Sequence, residues 1–216
     1  MSRGNLRENA VTYAAIGGTR ASNLMTYPPS GFRPTERRNR LGSGRTRFET
    51  ASRALMRWGV QRGSGIVVND QTEGTGERYT GMEFDSAGNP QGLRGTLASG
   101  DSRGGDVDID IIRSGMSAVL VGRCGPFRFR APVRVVYVID EENQKGFAYG
   151  TLPGHPLSGE EAFFVEIHDD DSVWIVIRTF SRVARGFNRI FPLVPRIIQR
   201  VLYTRYSRAL LPTRIS

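Results

Sequence analysis

Cysteine, lysine and histidine are nearly absent from this chain. Cys124 and Lys145 each occur once in 216 residues, and His155 and His168 are the two histidines. A single cysteine excludes an internal disulfide framework and a multi-cysteine metal site, and it points to a reducing, cytoplasmic setting. No apolar run reaches the roughly 18–20 residues that span a bilayer, so no membrane span is expected. The N-terminal stretch "MSRGNLRENAVTYAAIGG" has no uninterrupted apolar core, so no signal peptide is expected.

Arginine and glycine are abundant instead. Of 30 basic residues, 29 are arginine, and the formal net charge is +9. A basic balance invites a nucleic-acid reading. An arginine bias also follows from a GC-rich genome, and here the arginines are scattered. The one dense stretch, Arg33 to Arg47, has no aromatic ladder on which bases could stack. A solvated basic face is the simpler account, and nucleic acid is not the expected partner.

Along the chain, residues 1–43 read as extended and irregular, because Pro28, Pro29 and Pro34 break any helix. Phe48, Ala51, Leu55 and Trp58 recur at helical spacing, so one amphipathic helix is expected over Arg45–Arg62, stopped by Gly63 and Gly65. Residues 69–106 are polar, with nine glycines between Gly74 and Gly105, and read as a flexible insertion with a strand near Met82–Phe84. Strands follow at Val107–Arg113, Ala118–Arg123, Phe127–Asp140 with a bend at Pro132, Gly146–Leu152, Glu161–His168 and Val173–Ser181. The last of these carries apolar residues on both faces, so it is covered on both sides. Short connections imply an antiparallel sheet. Leu193, Val194, Ile197, Ile198, Val201, Leu202 and Leu210 form the stripe of a long C-terminal helix, the best candidate to cover the sheet. The fold class is α+β, a single domain over 1–216.

The loop "YGTLPGHPLSGEEAF" concentrates chemistry. In one reading His155 is a general acid/base, oriented by the carboxylate of Glu160 or Glu161 and held by Pro153, Gly154 and Pro156. In the other, the loop is a tight hairpin connection: His155 bonds a backbone carbonyl and the glutamates pair with arginines. Adjacent residues on a strand face opposite ways, so Glu160 and Glu161 cannot both face one cavity if extended. Trp58, Tyr149, Thr151, Ser181, Arg182 and Tyr206 are candidate ligand-binding residues, with core packing as the alternative for the aromatics. "HDDDS" at 168–172 reads as a hairpin tip and "DVDIDI" at 106–111 as a solvated edge, so no metal is expected.

Several stretches resemble one bacterial and plant family, the domain of unknown function nineteen-ninety: "TYAAIGGTR", "PPSGFRP", "RLGSGRTRFETASRALMRW", "APVRVVYVIDE", "GFAYGTLPGHPLSGEEAFFV", "VWIVIRTFSR" and "QRVLYTRYSRAL". They occur in order over most of the chain, and "YGTLPGHP…GEE" is the specific one. The insertion, roughly Asn69 to Arg113, is longer than the resemblance implies. The family's element order is similar to the START/Bet v 1-like helix-grip fold, a curved sheet around a long C-terminal helix. That superfamily includes hydrophobe binders, polyketide cyclases and small-molecule lyases. The resemblance therefore implies a hydrophobic or polycyclic small molecule in an internal cavity. Three roles stay open: a cofactor-independent cyclase, lyase or isomerase of secondary metabolism, a non-catalytic carrier, and an arginine-mediated interaction protein. Oligomeric state is not legible.

Overall fold

The computed structural model describes Leu6 and residues 9–72, 83–84, 90–91, 111–124, 127–184, 205–206 and 209–211. Its frame is a curved seven-stranded antiparallel sheet. The strands are β1 (Arg33–Ser43), β2 (Val67–Asn69), β5 (Ser117–Cys124), β6 (Phe127–Asp140), β7 (Gln144–Thr151), β8 (Leu157–Ile167) and β9 (Ser172–Val183). Their order is β1-β9-β8-β7-β6-β5-β2, a meander closed by pairing the first strand with the last. Two short strands, β3 (Glu83–Phe84) and β4 (Pro90–Gln91), pair separately within the glycine-rich stretch. The rest of that insertion lies outside the described residues, as does the expected strand over 107–110.

Helices α1 (Arg45–Leu55) and α2 (Gly59–Gly63) sit between β1 and β2. They lie on one face of the sheet, where Phe48, Ala51, Leu55 and Trp58 join Val135, Phe147, Tyr149, Phe163, Val165, Ile175 and Ile177 in the main core. Each fully buried aromatic or aliphatic side chain here contributes about 1.5–3 kcal/mol. Tyr206 and Leu210 belong to the same core. Arg205, Tyr206 and Ala209 are helical, so the C-terminal segment covers this face where it is described. The remainder of the expected C-terminal helix, from Leu193 to Thr204, lies outside the described residues. Strand order and helix placement make this an α+β fold, an antiparallel sheet with helices on one face.

Four local expectations are corrected. The single helix over Arg45–Arg62 is two, because the chain turns at Trp58, which holds a left-handed φ of 61°. Turning there carries the indole into the core, fully buried. Part of the irregular N-terminal region is an eleven-residue strand, β1, whose register with β9 runs from Arg33↔Ser181 to Ser43↔Ser172. Its arginine run is the charged edge of the sheet, which blocks pairing with another chain. Strand β6 passes through Pro132, and its irregularity falls between Val135 and Tyr137 instead. Finally, Ile111–Arg113 is not strand.

The other face of the sheet is covered by the N-terminal segment. Leu6, Val11, Tyr13, Ile16 and Leu24 pack against Val119, Ala148, Leu152, Phe164, Val176 and Phe180. This explains why β9 is apolar on both sides: Val173, Ile175 and Ile177 meet the helices, and Val176 and Phe180 meet the N-terminal segment.

Candidate functional site

The loop before β8 is built by local rules. Pro153 and Gly154 occupy the middle of a turn closed by His155 N–H donating to the Leu152 carbonyl at 3.1 Å. Gly154 has φ 92°, the position where such a turn needs glycine. The Leu157 N–H donates to His155 Nδ1 at 2.9 Å. Nδ1 lies 2.9 Å from the Leu157 carbonyl as well, so whether it accepts or donates follows the ring tautomer. Burial lowers the imidazole pKa to about 4, against a partial gain from the Leu157 backbone, so His155 is neutral at pH 7. Its bonds stay within the loop. Ser158 donates to the Thr12 carbonyl at 3.0 Å rather than meeting His155.

Glu160 faces the N-terminal segment. Its Oε2 accepts from Tyr13 Oη and from Gly17 N–H, each at 2.7 Å. Its Oε1 accepts from Thr19 N–H at 2.9 Å and from Thr19 Oγ1 at 2.5 Å. Four donors from "TYAAIGGT" thus converge on one buried carboxylate. Gly17, with φ 79°, permits the turn that points two amides inward. Burial still outweighs these bonds and raises the Glu160 pKa. Thr151 serves the same seam: its Oγ1 lies 2.6 Å from Thr12 Oγ1 and accepts from Gly159 N–H at 3.0 Å.

Glu161 faces the helices. It stands opposite Tyr149 on β7 and Thr179 on β9. The Tyr149 hydroxyl donates to Glu161 Oε2. Burial raises the Glu161 pKa to about 7, with the Tyr149 bond opposing. The Tyr149 phenol is held well above its ordinary value, first by burial, then by the charges of Glu161 and Tyr206. The walls are aromatic. Trp58 stacks on Tyr149 at 6.3 Å between centroids, Phe163 lies 5.6 Å from Tyr149, and Tyr206 meets Phe163 edge-on at 5.5 Å. Glu161 keeps some accessible surface, while Tyr149, Thr179, Phe163 and Tyr206 are all buried. No cation pairs with Glu161 among the described residues.

The structure therefore divides the expected site. Glu161, Tyr149, Tyr206 and Trp58 come together on the helix-bearing face. Glu160 and Thr151 belong to the seam with the N-terminal segment, and His155 to its own loop, so the three expected acid/base residues form no common cluster. Among the described residues neither glutamate pairs with an arginine: tyrosine, threonine and backbone donors take that place. Arg182 is exposed, its guanidinium 4.5 Å above the Phe32 ring. Ser181 ends β9 in register with Arg33 and Gly159. Gln61, fully buried in α2, was not expected; both polar atoms of its side chain lack a hydrogen-bond partner among the described residues. Its lone signal was a polar residue inside an apolar helical stripe. "HDDDS" is a hairpin tip, with Ser172 Oγ donating to Asp170 at 2.5 Å and His168 stacked on Trp174. Among the described residues no three His, Cys, Asp or Glu side chains could hold a metal. No described helix is long and apolar enough to cross a membrane.

The chain matches the family described as "Domain of unknown function (DUF1990)" over residues 12–88 and 105–209. It belongs to the DUF1990 family. The break in the match, at 89–104, falls within the glycine-rich insertion, and the residues that bind Glu160 and Glu161 lie inside the DUF1990 match. Two curated relatives are similar over part of their length. The UPF0548 protein of Deinococcus radiodurans is 37% identical over 114 residues, 49% of this chain and 58% of that protein. UPF0548 protein At2g17695 of Arabidopsis thaliana is 39% identical over 59 residues, 24% of this chain and 29% of that protein. Among solved structures, hypothetical protein jhp0584 from Helicobacter pylori is similar at TM-score 0.48 and 11% identity, covering 94% of this chain and 95% of that one. Ara h 8.0201 is similar at TM-score 0.43 and 11% identity, covering 83% and 99%. Truncated norcoclaurine synthase from Thalictrum flavum is similar at TM-score 0.41 and 11% identity, covering 87% and 100%.

Proposed function

We propose that this DUF1990 member binds a hydrophobic, ring-bearing small molecule between the sheet and its helices, and that Glu161 moves a proton to or from it. One observation carries the reading: a carboxyl held at a pKa of about 7 within an aromatic enclosure, bonded by a single phenol and no cation among the described residues. Glu160, by contrast, accepts four hydrogen bonds from the N-terminal segment. Glu161 keeps some accessible surface although Tyr149, Phe163 and Tyr206 beside it are buried.

The chemistry follows from the pair. Near pH 7 both protonation states of Glu161 are populated, which suits a group that both accepts and returns a proton. Tyr149 stays protonated and donates to the carboxylate. When Glu161 takes a proton from a carbon or hydroxyl of the bound molecule, its demand for that bond falls, and the phenol can turn to a developing oxyanion. The aromatic walls exclude water and strengthen both interactions. Cyclisation, elimination and isomerisation all fit such a step without a cofactor.

Native mass spectrometry of the purified protein, with identification of anything released on denaturation, tests occupancy. A co-purified aromatic or polycyclic molecule is the expected result, converted by the wild type and bound unconverted by Glu161→Gln. Equal conversion by Glu161→Gln overturns the acid/base role. Recovery of the molecule unchanged from the wild type leaves a carrier.

A further inference from the structure

Independently of the interior site, we infer that the β5–β6 hairpin binds the phosphate group of a small molecule through Arg123, Arg128 and Arg130. Arg123 and Arg128 are directly opposite one another across β5 and β6. Residues in direct register project to the same face, and Arg130, two positions beyond Arg128, joins them there. All three are exposed. Like charges directly opposite destabilise a strand pair, so this arrangement opposes folding unless an anion lies between them.

Counter-ions are scarce around it. Among the described residues, Arg123 and Arg128 have no carboxylate partner, and Arg130 has Asp70 at 3.8 Å. Arg205, from the C-terminal helical segment, reaches the Arg123 carbonyl at 3.4 Å and adds a fourth guanidinium nearby. Arg128 and Arg130 also line a half-open cavity of about 550 Å³, together with Asn69, Asp70, Val121 and Phe129. The Arg guanidinium stays charged at any physiological pH, and its planar fork matches phosphate oxygens, so several guanidiniums can share one phosphate. A cavity of this size also holds an organic portion, beside Val121, which pairs with Arg130 on the arginine face. A nucleic-acid strand needs a longer basic track than one hairpin.

The test is calorimetric titration of the full chain with inorganic pyrophosphate and with adenosine diphosphate at constant ionic strength. Saturable binding of at least one is expected, weakened about tenfold or more in Arg128→Gln and in Arg123→Gln, and retained by Arg33→Gln. Tighter binding of the nucleoside diphosphate identifies a phosphate ester as the ligand, and equal binding identifies the free anion. The variants carry a second readout: without anion, Arg128→Gln melts at or above the wild-type temperature at low salt, because a repulsion is gone. Pyrophosphate raises the wild-type melting temperature and leaves that of the variant unchanged. No saturable binding of either compound, or binding that both substitutions leave intact, overturns the inference. Binding of a single-stranded oligonucleotide without either small molecule overturns it in favour of a nucleic-acid surface.

Discussion

Glu160 and Glu161 are chain neighbours that stand on opposite faces of one sheet, and their hydrogen-bond partners differ. Glu160 accepts four hydrogen bonds and anchors the N-terminal segment. Among the described residues Glu161 accepts one, from Tyr149, beside Trp58, Phe163 and Tyr206. The strand's two-residue period alone sends one carboxylate to the N-terminal segment and the other to the helix-bearing face.

Glu161 and His155 give stability opposite slopes with pH. Glu161 is raised from 4.5 to about 7, so between those values the native state binds more protons than the unfolded chain. Its contribution is fully present below about pH 4.5 and is lost as pH rises through about 7. His155 is lowered from 6.5 to about 4, so the unfolded chain binds more protons in that window. Its contribution is present above about pH 6.5 and is lost as pH falls through about 4. Each spans at most about 3–4 kcal/mol, less where water reaches the group. Relative to wild type, Glu161→Gln should make stability rise more, or fall less, with pH, and His155→Asn should do the reverse. Urea unfolding from about pH 4 to about pH 8 reads both slopes; a wild-type slope in both variants refutes the assignments.

Tyr149→Phe removes the one hydrogen bond that lowers the Glu161 pKa. The carboxyl should then titrate above 7 in that variant. Titration of the chain labelled with ¹³C at glutamate carboxyls measures this, and a downward shift would contradict it.

Glu160→Ala leaves the Tyr13 hydroxyl, the Gly17 and Thr19 amides and the Thr19 hydroxyl without their acceptor. A loss on the order of 3–5 kcal/mol is expected, since each unpaired buried donor costs about 1–3 kcal/mol and water recovers part of it. The denaturant midpoint reports the loss. Hydrogen exchange at the Gly17 and Thr19 amides should rise ahead of the core strands, because the N-terminal segment lifts first.

Gly159→Ala should be among the most damaging single changes. Gly159 has φ 147°, and a Cβ there would overlap the Phe180 carbonyl oxygen on β9. The expected cost exceeds about 3 kcal/mol, from strain and forced separation of β8 from β9. Thermal unfolding of this variant beside Gly154→Ala, which lies in the loop, separates sheet contact from turn geometry.

Much of the fold was legible because it depends on short-range pattern. Alternation in Val173–Ser181 and Glu161–His168 located two strands within a few residues. Doubly apolar β9 announced a sheet covered on both sides. The strand over Arg33–Ser43 was hidden because an edge strand buries little and its arginines obscure any alternation. The break at Trp58 was hidden because an apolar residue at helical spacing reads alike whether the helix continues or turns. The N-terminal segment looked irregular, and it is; its partner carboxylate lies more than 140 residues away in the chain.

The sequence by itself determined that Glu160 and Glu161, if extended, face opposite ways, because side chains on a strand alternate. It also determined the turn at Pro153–Gly154 and the antiparallel sheet, since both follow from local backbone preference and short connections. Only the tertiary structure decided which glutamate went where. That choice rests on which face the helices cover and on donors from Tyr13, Gly17 and Thr19. Long-range contacts of this kind depend on how the whole sheet is covered, and no local window of the chain carries that information.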